Sequence, residues 1–129
     1  MKSKIILAAM AAVAFSVSAQ AAEPDIKKGE KVFRKCKACH EVAKEKNKVG
    51  PHLVNLFGRT AGSLDGYKYS KAMVAKGEGG LVWTEEVMLE YLIKPRQYVK
   101  GTKMAFAGLK KEKDRVNLVA YLQQFTKAE

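Results

Sequence analysis

Two cysteines and a histidine stand within five residues of this 129-residue chain, as Cys36-Lys37-Ala38-Cys39-His40. The spacing C-x-x-C-H is the attachment signature of a c-type haem. Each thiol can add across one vinyl group of the porphyrin, and cysteines three positions apart stand about one helical turn from each other. The adjacent imidazole can then bind the iron. We therefore predict one covalently bound haem c per chain, with Cys36 and Cys39 as thioether links and His40 as the proximal iron ligand.

Three other uses of these residues fit the sequence less well. A structural zinc site would need His52 as its fourth ligand, but zinc sites separate the second ligand pair by about two to five residues. Eleven residues lie between His40 and His52. A thioredoxin-like C-x-x-C belongs in a βαβ context, and no alternation of strands and helices is visible. A disulfide would leave the histidine unexplained.

The N-terminus has the pattern of a secretory signal peptide. Lys2 and Lys4 precede an apolar run at residues 5–17, and Ala19-Gln20-Ala21 has the form of a cleavage site. The run is short for a membrane span, so an uncleaved anchor is the weaker alternative. We predict a signal peptide at residues 1–21, with cleavage after Ala21 or Ala22, and a mature domain at residues 22–129. The predicted compartment is the periplasm, because bacteria attach haem covalently on the exported side of the membrane.

The chain is strongly basic, with 24 Lys and Arg against 13 Asp and Glu and a formal net charge of +11. Without Lys2 and Lys4, 22 basic residues remain, and the charge is still +9. Such an excess favours nucleic acid, anionic lipid or an acidic protein as partner. Nucleic acid is excluded because the chain is predicted to be exported and shows no binding motif. We expect an acidic protein partner and no stable insertion into the membrane.

The pattern after the predicted signal is helical, with glycine-rich loops between the helices. Asp25 can cap a first helix that leads to the haem motif, and Thr84 can cap another that Pro95 closes. Further helical segments are predicted at about 51–57, 69–76 and 111–125. Because the strand signal is weak throughout, we predict a single all-α domain.

The second iron ligand is expected to be a methionine. Met104 lies in the glycine-bounded stretch G-T-K-M-A-F-A-G, which has no helical periodicity, and loops carry ligands that must approach a cofactor from a chosen direction. Met88 lies on the apolar stripe of its predicted helix and Met73 in a short apolar run, so both fit core positions better. His52 competes weakly, because it follows His40 by only twelve positions. The residues themselves thus favour Met104 and leave these alternatives open.

The order of the motifs resembles a class I cytochrome c, closest to the bacterial cytochromes c2 and their mitochondrial relatives. The motifs are K-G-E-K-V-F…C-K-A-C-H, V-G-P-H-L…L-F-G-R-T-A-G, W-T-E-E…Y-L-I-K-P, G-T-K-M-A-F-A-G and L-V-A-Y-L, and they extend over residues 28–125. The resemblance implies a small all-α fold of helices and loops around one haem, with His40 and Met104 as axial ligands. It also implies a soluble, monomeric one-electron carrier that is not an enzyme. Electrons would pass from a bc1-type complex to a terminal oxidase or a photosynthetic reaction centre.

The resemblance assigns further roles around the haem. Pro51 matches the proline whose carbonyl accepts a hydrogen bond from the proximal imidazole, and Tyr91 matches the tyrosine beside the methionine sulfur. The positions that hydrogen-bond the haem propionates are matched by Arg59, Tyr69, Ser70, Trp83 and Thr102. The crossing of the first and last helices is matched by Gly29, Phe33, Leu118 and Tyr121.

Lysines flank both ligand motifs and are predicted to surround an exposed haem edge. They are Lys35, Lys37, Lys48, Lys94, Lys100 and Lys103. Such a ring would steer the protein onto the acidic faces of membrane redox complexes, and salt would slow the association.

The alternative function is a haem protein with an open sixth coordination site, acting as a peroxidase or a gas binder. Cytochromes c′ follow that pattern, but their C-x-x-C-H motif lies near the C-terminus of a four-helix bundle. Here the motif lies near the predicted mature N-terminus, and a methionine is available far downstream.

Overall fold

The computed structural model describes residues 9–15 and 23–127, and within these it is helical. The helices are α1 (Ile26–Phe33), α2 (Lys71–Glu78), α3 (Glu85–Tyr91), α4 (Pro95–Tyr98) and α5 (Glu112–Gln123). Over the same residues the strand-like pairing amounts to one antiparallel bridge, between Thr60 and Val82. The prediction of an all-α fold is therefore confirmed.

The predicted signal peptide falls mostly outside the described residues, as does its cleavage point at Ala21 or Ala22. Its described part, residues 9–15, is exposed and without regular secondary structure. In the described ranges no helix has both the length and the apolar character to cross a membrane.

Side-chain caps set where three helices begin. The side chains of Asp25, Ser70 and Thr84 each accept a hydrogen bond from the backbone N–H three residues ahead, at 3.0, 3.1 and 3.1 Å. Each bond satisfies a donor that has no partner within its own helix. The predicted caps at Asp25 and Thr84 are confirmed. α2 begins and ends two residues later than predicted, because Ser70 is its cap and not part of it.

Pro95 separates α3 from α4 and also begins α4. It stands in the first turn of that helix, where a backbone N–H has no intrahelical partner, so the missing donor of proline costs nothing. The last predicted helix, at residues 111–125, is observed as α5 without its outermost residues.

The predicted helical segment at residues 51–57 is wrong. The chain there is irregular, and Asn55 has a φ of +55°. Its backbone donors bond to distant carbonyls: the N–H of Leu53 donates to Glu41 at 2.8 Å, and that of Asn55 donates to Phe125 at 2.9 Å. Tertiary hydrogen bonds thus replace the bonds that a helix would have made within the segment.

α1 and α5 cross in close contact at Gly29. A Cβ atom added there would lie 2.0 Å from the backbone oxygen of Asn117 and 2.8 Å from the Cβ of Tyr121. Phe33 packs on Tyr121 with ring centroids 5.4 Å apart. The buried amide of Asn117 accepts a hydrogen bond from the N–H of Asp25 at 2.8 Å. The predicted meeting of Gly29, Phe33 and Tyr121 is confirmed, whereas the role of Asn117 was not predicted.

Replacing Gly29 with alanine should separate the two helices. The new methyl group would collide with backbone that cannot rotate away, so Gly29→Ala should lower the free energy of unfolding by about 2–3 kcal/mol. Guanidinium titration followed by circular dichroism would measure the loss. Gly79→Ala is the matched control, because a Cβ at Gly79 would meet its nearest atom at 3.4 Å, an ordinary contact. Equal unfolding midpoints for the two variants would contradict the need for this close approach.

Candidate functional site

The helices and loops surround an apolar cavity of about 440 Å³ at the centre of the protein. Small-molecule sites usually measure about 300–1,000 Å³. Side chains of α1, α3, α5 and the intervening loops line it, among them Phe33, Leu53, Leu56, Trp83, Met88, Leu92, Phe106, Leu118 and Leu122. A cavity bounded by these side chains is suited to a large, mostly apolar group.

Cys36 and Cys39 both line this cavity as free, half-buried thiols. They lie in the tight turn that follows α1, where the N–H groups of Cys39 and His40 donate to the carbonyl of Cys36 at 3.1 and 3.0 Å. Burial raises the pKa of the Cys36 thiol to about 11, so this thiol is neutral at pH 7. The turn therefore presents two sulfur atoms to one apolar space, as attachment to a macrocycle requires.

His40 is held in one orientation by the segment that follows the motif. Its Nδ1 lies 2.7 Å from the carbonyl oxygen of Pro51. Because a carbonyl only accepts, Nδ1 carries the proton, and Nε2 keeps a free lone pair. A Cβ atom at Gly50 would lie 2.4 Å from Cε1 of the ring, so only glycine fits against this imidazole.

The electrostatic environment keeps His40 neutral. Burial lowers the pKa of the imidazole, the bond to the Pro51 carbonyl acts in the opposite direction, and the positive charge of Lys48 lowers the pKa further. A neutral imidazole with a free Nε2 is the form that binds metal ions.

Met104 lines the cavity from the loop between α4 and α5. The hydroxyl of Tyr91 donates to its sulfur at 3.7 Å, and the Met104 N–H donates to Thr102 Oγ1 at 3.3 Å. Burial raises the pKa of Tyr91 to about 12, so the phenol remains a donor at neutral pH. The Arg96 guanidinium donates to the carbonyl of Ala105 at 2.8 Å. The loop that carries the sulfur is thus hydrogen-bonded at several points.

Two other methionines line the same cavity, Met73 from α2 and Met88 from α3. Met88 is buried, in agreement with its predicted core position, and Met73 is half-buried. Among the described methionine sulfurs, that of Met104 alone accepts a hydrogen bond. His52 lines a separate, more polar cavity beside Glu45 and Asp65 and does not border the central one.

Hydrogen-bond donors of Tyr69, Ser70, Trp83 and Thr102 also line the cavity. The hydroxyl oxygens of Tyr69, Ser70 and Thr102 accept bonds from backbone N–H groups at 3.3, 3.1 and 3.3 Å. Their hydroxyl hydrogens have no acceptor among the described residues, and neither does the indole N–H of the buried Trp83. Burial raises the pKa of Tyr69, against the lowering effect of the Leu64 N–H and of Arg59. Four free donors around one space are suited to a carboxylate group.

Arg59 also lines the cavity, but two of its donors hold the neighbouring loop. Nη1 donates to the carbonyl of His52 at 3.0 Å, and Nη2 donates to that of Val54 at 2.6 Å. Burial lowers the pKa of its guanidinium. Arg59 therefore fixes the segment directly after Pro51, next to the His40 contact.

The six predicted docking lysines differ in their surroundings. Lys35 and Lys103 border the cavity. Lys48 lies 3.5 Å from the Glu41 carboxylate and donates to the carbonyl of Lys37 at 2.7 Å. Of the six, Lys35, Lys37, Lys94 and Lys100 have exposed side chains with no polar partner among the described residues.

Three residues of the site were missed in the sequence. Gly50 lies between Lys48 and Pro51, which were both predicted to have roles. Its position before the proline of the V-G-P motif could have indicated a role for Gly50 as well. Tyr67 lines the cavity two positions before Tyr69. Because side chains two positions apart in an extended segment point to the same side, this spacing could have indicated that both tyrosines belong to the site. Nothing in the sequence marked Arg96 as a partner of the methionine loop.

The whole set fits a covalently attached haem: two thiols, a neutral imidazole, a methionine sulfur, apolar walls and hydrogen-bond donors suited to carboxylates. Known proteins support this fit. The family model described as Cytochrome c matches residues 26–126. A cytochrome c2 of Afifella marina is 58% identical over 98 residues, which are 75% of this chain and 79% of that protein. A cytochrome c of Stellaria longipes is 48% identical over 81% of this chain and 96% of its own.

The solved structure of cytochrome c2 from Rhodospirillum Centenum superposes with a TM-score of 0.76 at 41% identity. The match covers 80% of this chain and 99% of that one. The fold is therefore that of a small class I cytochrome c, and the chain belongs to the cytochrome c family, whose members carry covalently bound haem c.

Proposed function

We propose that this chain is a soluble periplasmic one-electron carrier, with a haem linked to Cys36 and Cys39 and ligated by His40 and Met104. The observation that carries the proposal is that these four side chains line one apolar cavity. The haem, when bound, supplies an Fe(II)/Fe(III) couple. The cytochromes c2 and c among the relatives agree with electron transport.

The two proposed ligands favour the reduced state. Both are neutral, and His/Met ligation raises the potential of a c-type haem. The carbonyl of Pro51 orients the imidazole, and the basicity that it adds to this ligand would act in the opposite direction, toward Fe(III). With His40 and Met104 both as ligands, the iron would have no coordination site left for a substrate. The protein is therefore not an enzyme in its own right.

The free donors of Tyr69, Ser70, Trp83 and Thr102 would bind the haem propionates. Carboxylate groups accept several hydrogen bonds, and such charge-assisted bonds are the stronger kind. The three hydroxyl groups are already held by backbone N–H groups, so they would need little ordering when the propionates bind. Arg59 adds a nearby positive charge.

Electrons would arrive from a bc1-type complex and leave to a terminal oxidase or, in a phototroph, to a photosynthetic reaction centre. The exposed Lys37, Lys94 and Lys100, together with Lys35 at the cavity border, would meet acidic faces of these complexes. Contacts made mostly by rim charges accelerate encounter more than they add to affinity. A monomeric carrier with such contacts forms transient complexes, as rapid turnover requires.

Met104→Ala tests the ligand assignment. The oxidised protein should show the weak near-infrared band of a sulfur-to-iron bond, and the variant should lose that band, bind small ligands and have a lower potential. Met73→Leu and Met88→Leu are the controls, because both residues line the same cavity, and both variants should keep the band. Retention of the band in Met104→Ala would assign the ligand to Met73 or Met88. A wild-type protein without the band that binds carbon monoxide or peroxide would support the open-site alternative.

Lys37→Glu tests the docking face. At low salt this change should reduce the second-order rate with a bc1-type complex about three- to tenfold, because it reverses a charge within the attachment motif. Stopped-flow measurements at increasing salt should show the difference disappear. Lys76→Glu changes the net charge equally on α2, away from the cavity lining, and should matter less. Equal losses for the two variants would show that only net charge counts.

Mass spectrometry tests the proposed export. The mature protein from the periplasmic fraction should lack residues 1–21 or 1–22 and carry one haem. A chain that begins at Met1 and sediments with membranes would contradict a soluble carrier.

A further inference from the structure

Lys103, the residue directly before Met104, has a side chain that is tied to another part of the chain. Its ammonium group donates a hydrogen bond to the carbonyl of Lys68. The same nitrogen lies 4.5 Å from the ring centroid of Tyr67, within the range of a cation–π contact. Both partners belong to the segment before α2, so this lysine bridges two separate loops.

Tyr67 is itself fixed in place. Its hydroxyl donates to the carbonyl of Val49 at 2.7 Å, and its ring packs edge-on against Tyr69 with centroids 4.8 Å apart. The carbonyl of Val49 directly precedes Gly50, which packs against His40. The ring that receives the Lys103 ammonium is therefore anchored to the segment that holds the histidine.

We infer that Tyr67 and Lys103 form a clasp that holds the Met104 loop against the rest of the protein and slows the departure of the methionine sulfur from the iron. The inference rests on the proposed ligation by Met104. Tyr67 and Lys103 act as positioning residues. On the other side of Met104, the Arg96 guanidinium donates to the carbonyl of Ala105 at 2.8 Å. The loop is therefore held by a cationic side chain on each side of Met104.

The clasp gives Lys103 a different task from the other lysines around the cavity. An ammonium that is bonded to a carbonyl and placed over a ring has little freedom to rearrange toward a partner. The exposed Lys37 and Lys100 have no such contacts within the described residues. Lys103 thus holds the Met104 loop in place, whereas the lysines without such contacts are available for association with a partner protein.

Imidazole added to the oxidised holoprotein measures the opening of the loop, because it binds the iron only after Met104 has left. Lys103→Gln should bind imidazole about tenfold faster than the wild type, since it loses the cation–π contact and a charge-assisted bond. Lys110→Gln is the matched control: it removes one positive charge from an exposed side chain at the other end of the loop. It should stay within about twofold of the wild type.

Variants of Tyr67 separate the ring from its hydroxyl. Tyr67→Leu removes both and should resemble Lys103→Gln, whereas Tyr67→Phe keeps the ring and should fall between Tyr67→Leu and the wild type. Lys103→Arg keeps the cation and should restore slow binding. In the Lys103→Gln background, Tyr67→Leu should add less than about twofold, because the two residues act through one contact.

Hydrogen exchange of the backbone amides at residues 102–105 gives a readout that does not depend on the identity of the iron ligand. These amides should exchange faster in Lys103→Gln than in Lys110→Gln, with similar guanidinium unfolding midpoints. Equal exchange and equal imidazole rates in the two variants would overturn the clasp, as would a fall in global stability large enough to account for the faster rates. Absence of the sulfur-to-iron band from the wild-type protein would instead refute ligation by Met104. The hydrogen-exchange comparison would still show whether the clasp exists.

Discussion

The hydrogen bond from His40 Nδ1 to the Pro51 carbonyl is the contact on which the rest of the site depends. It fixes the tautomer, turns the imidazole and leaves Nε2 free for a metal ion. The carbonyl can stand there only because Gly50 has no side chain and because Arg59 holds the carbonyl groups of His52 and Val54. A helix over residues 51–57 would need those same carbonyls for its own bonds. The irregular course of this segment is thus the physical condition for a correctly oriented histidine.

Much of the apolar interior borders a cavity and is not filled by the protein's own side chains. Leu118 and Leu122 of α5 and Trp83 and Tyr91 around α3 are all buried and all line that space. A chain of this size buries a limited fraction of its surface, so an empty centre would forfeit contacts that it needs for stability. Haem therefore completes the core as well as the function. Its covalent attachment, general in this family, keeps that part of the core with the chain even when the protein unfolds.

The features that the sequence predicted are those encoded by neighbouring residues. The haem motif is contiguous because its chemistry requires two thiols and an imidazole close together, and the caps at Asp25 and Thr84 bond only three residues ahead. The features that it did not reveal join distant segments through polar side chains. Asn117 accepts from a backbone group 92 positions away, and the Lys103 ammonium reaches a carbonyl 35 positions away. A charged or amide residue read alone fits a solvated surface equally well, so such contacts are visible only once the chain is folded.

In the proposed carrier, the positive charge of the protein would serve two physical tasks. Association with an acidic surface needs charges on side chains that remain solvated and free to rearrange, because an ammonium already bonded within the protein must lose those contacts to meet a partner. Holding an iron ligand in place instead needs a cation that is already bonded within the protein. Such a preorganised group does not have to rearrange when the electron is transferred. Lys103 and Arg96 on the two sides of Met104 meet the second requirement. Electron transfer needs both, because the partner must be met quickly while the sulfur and the imidazole stay where they are.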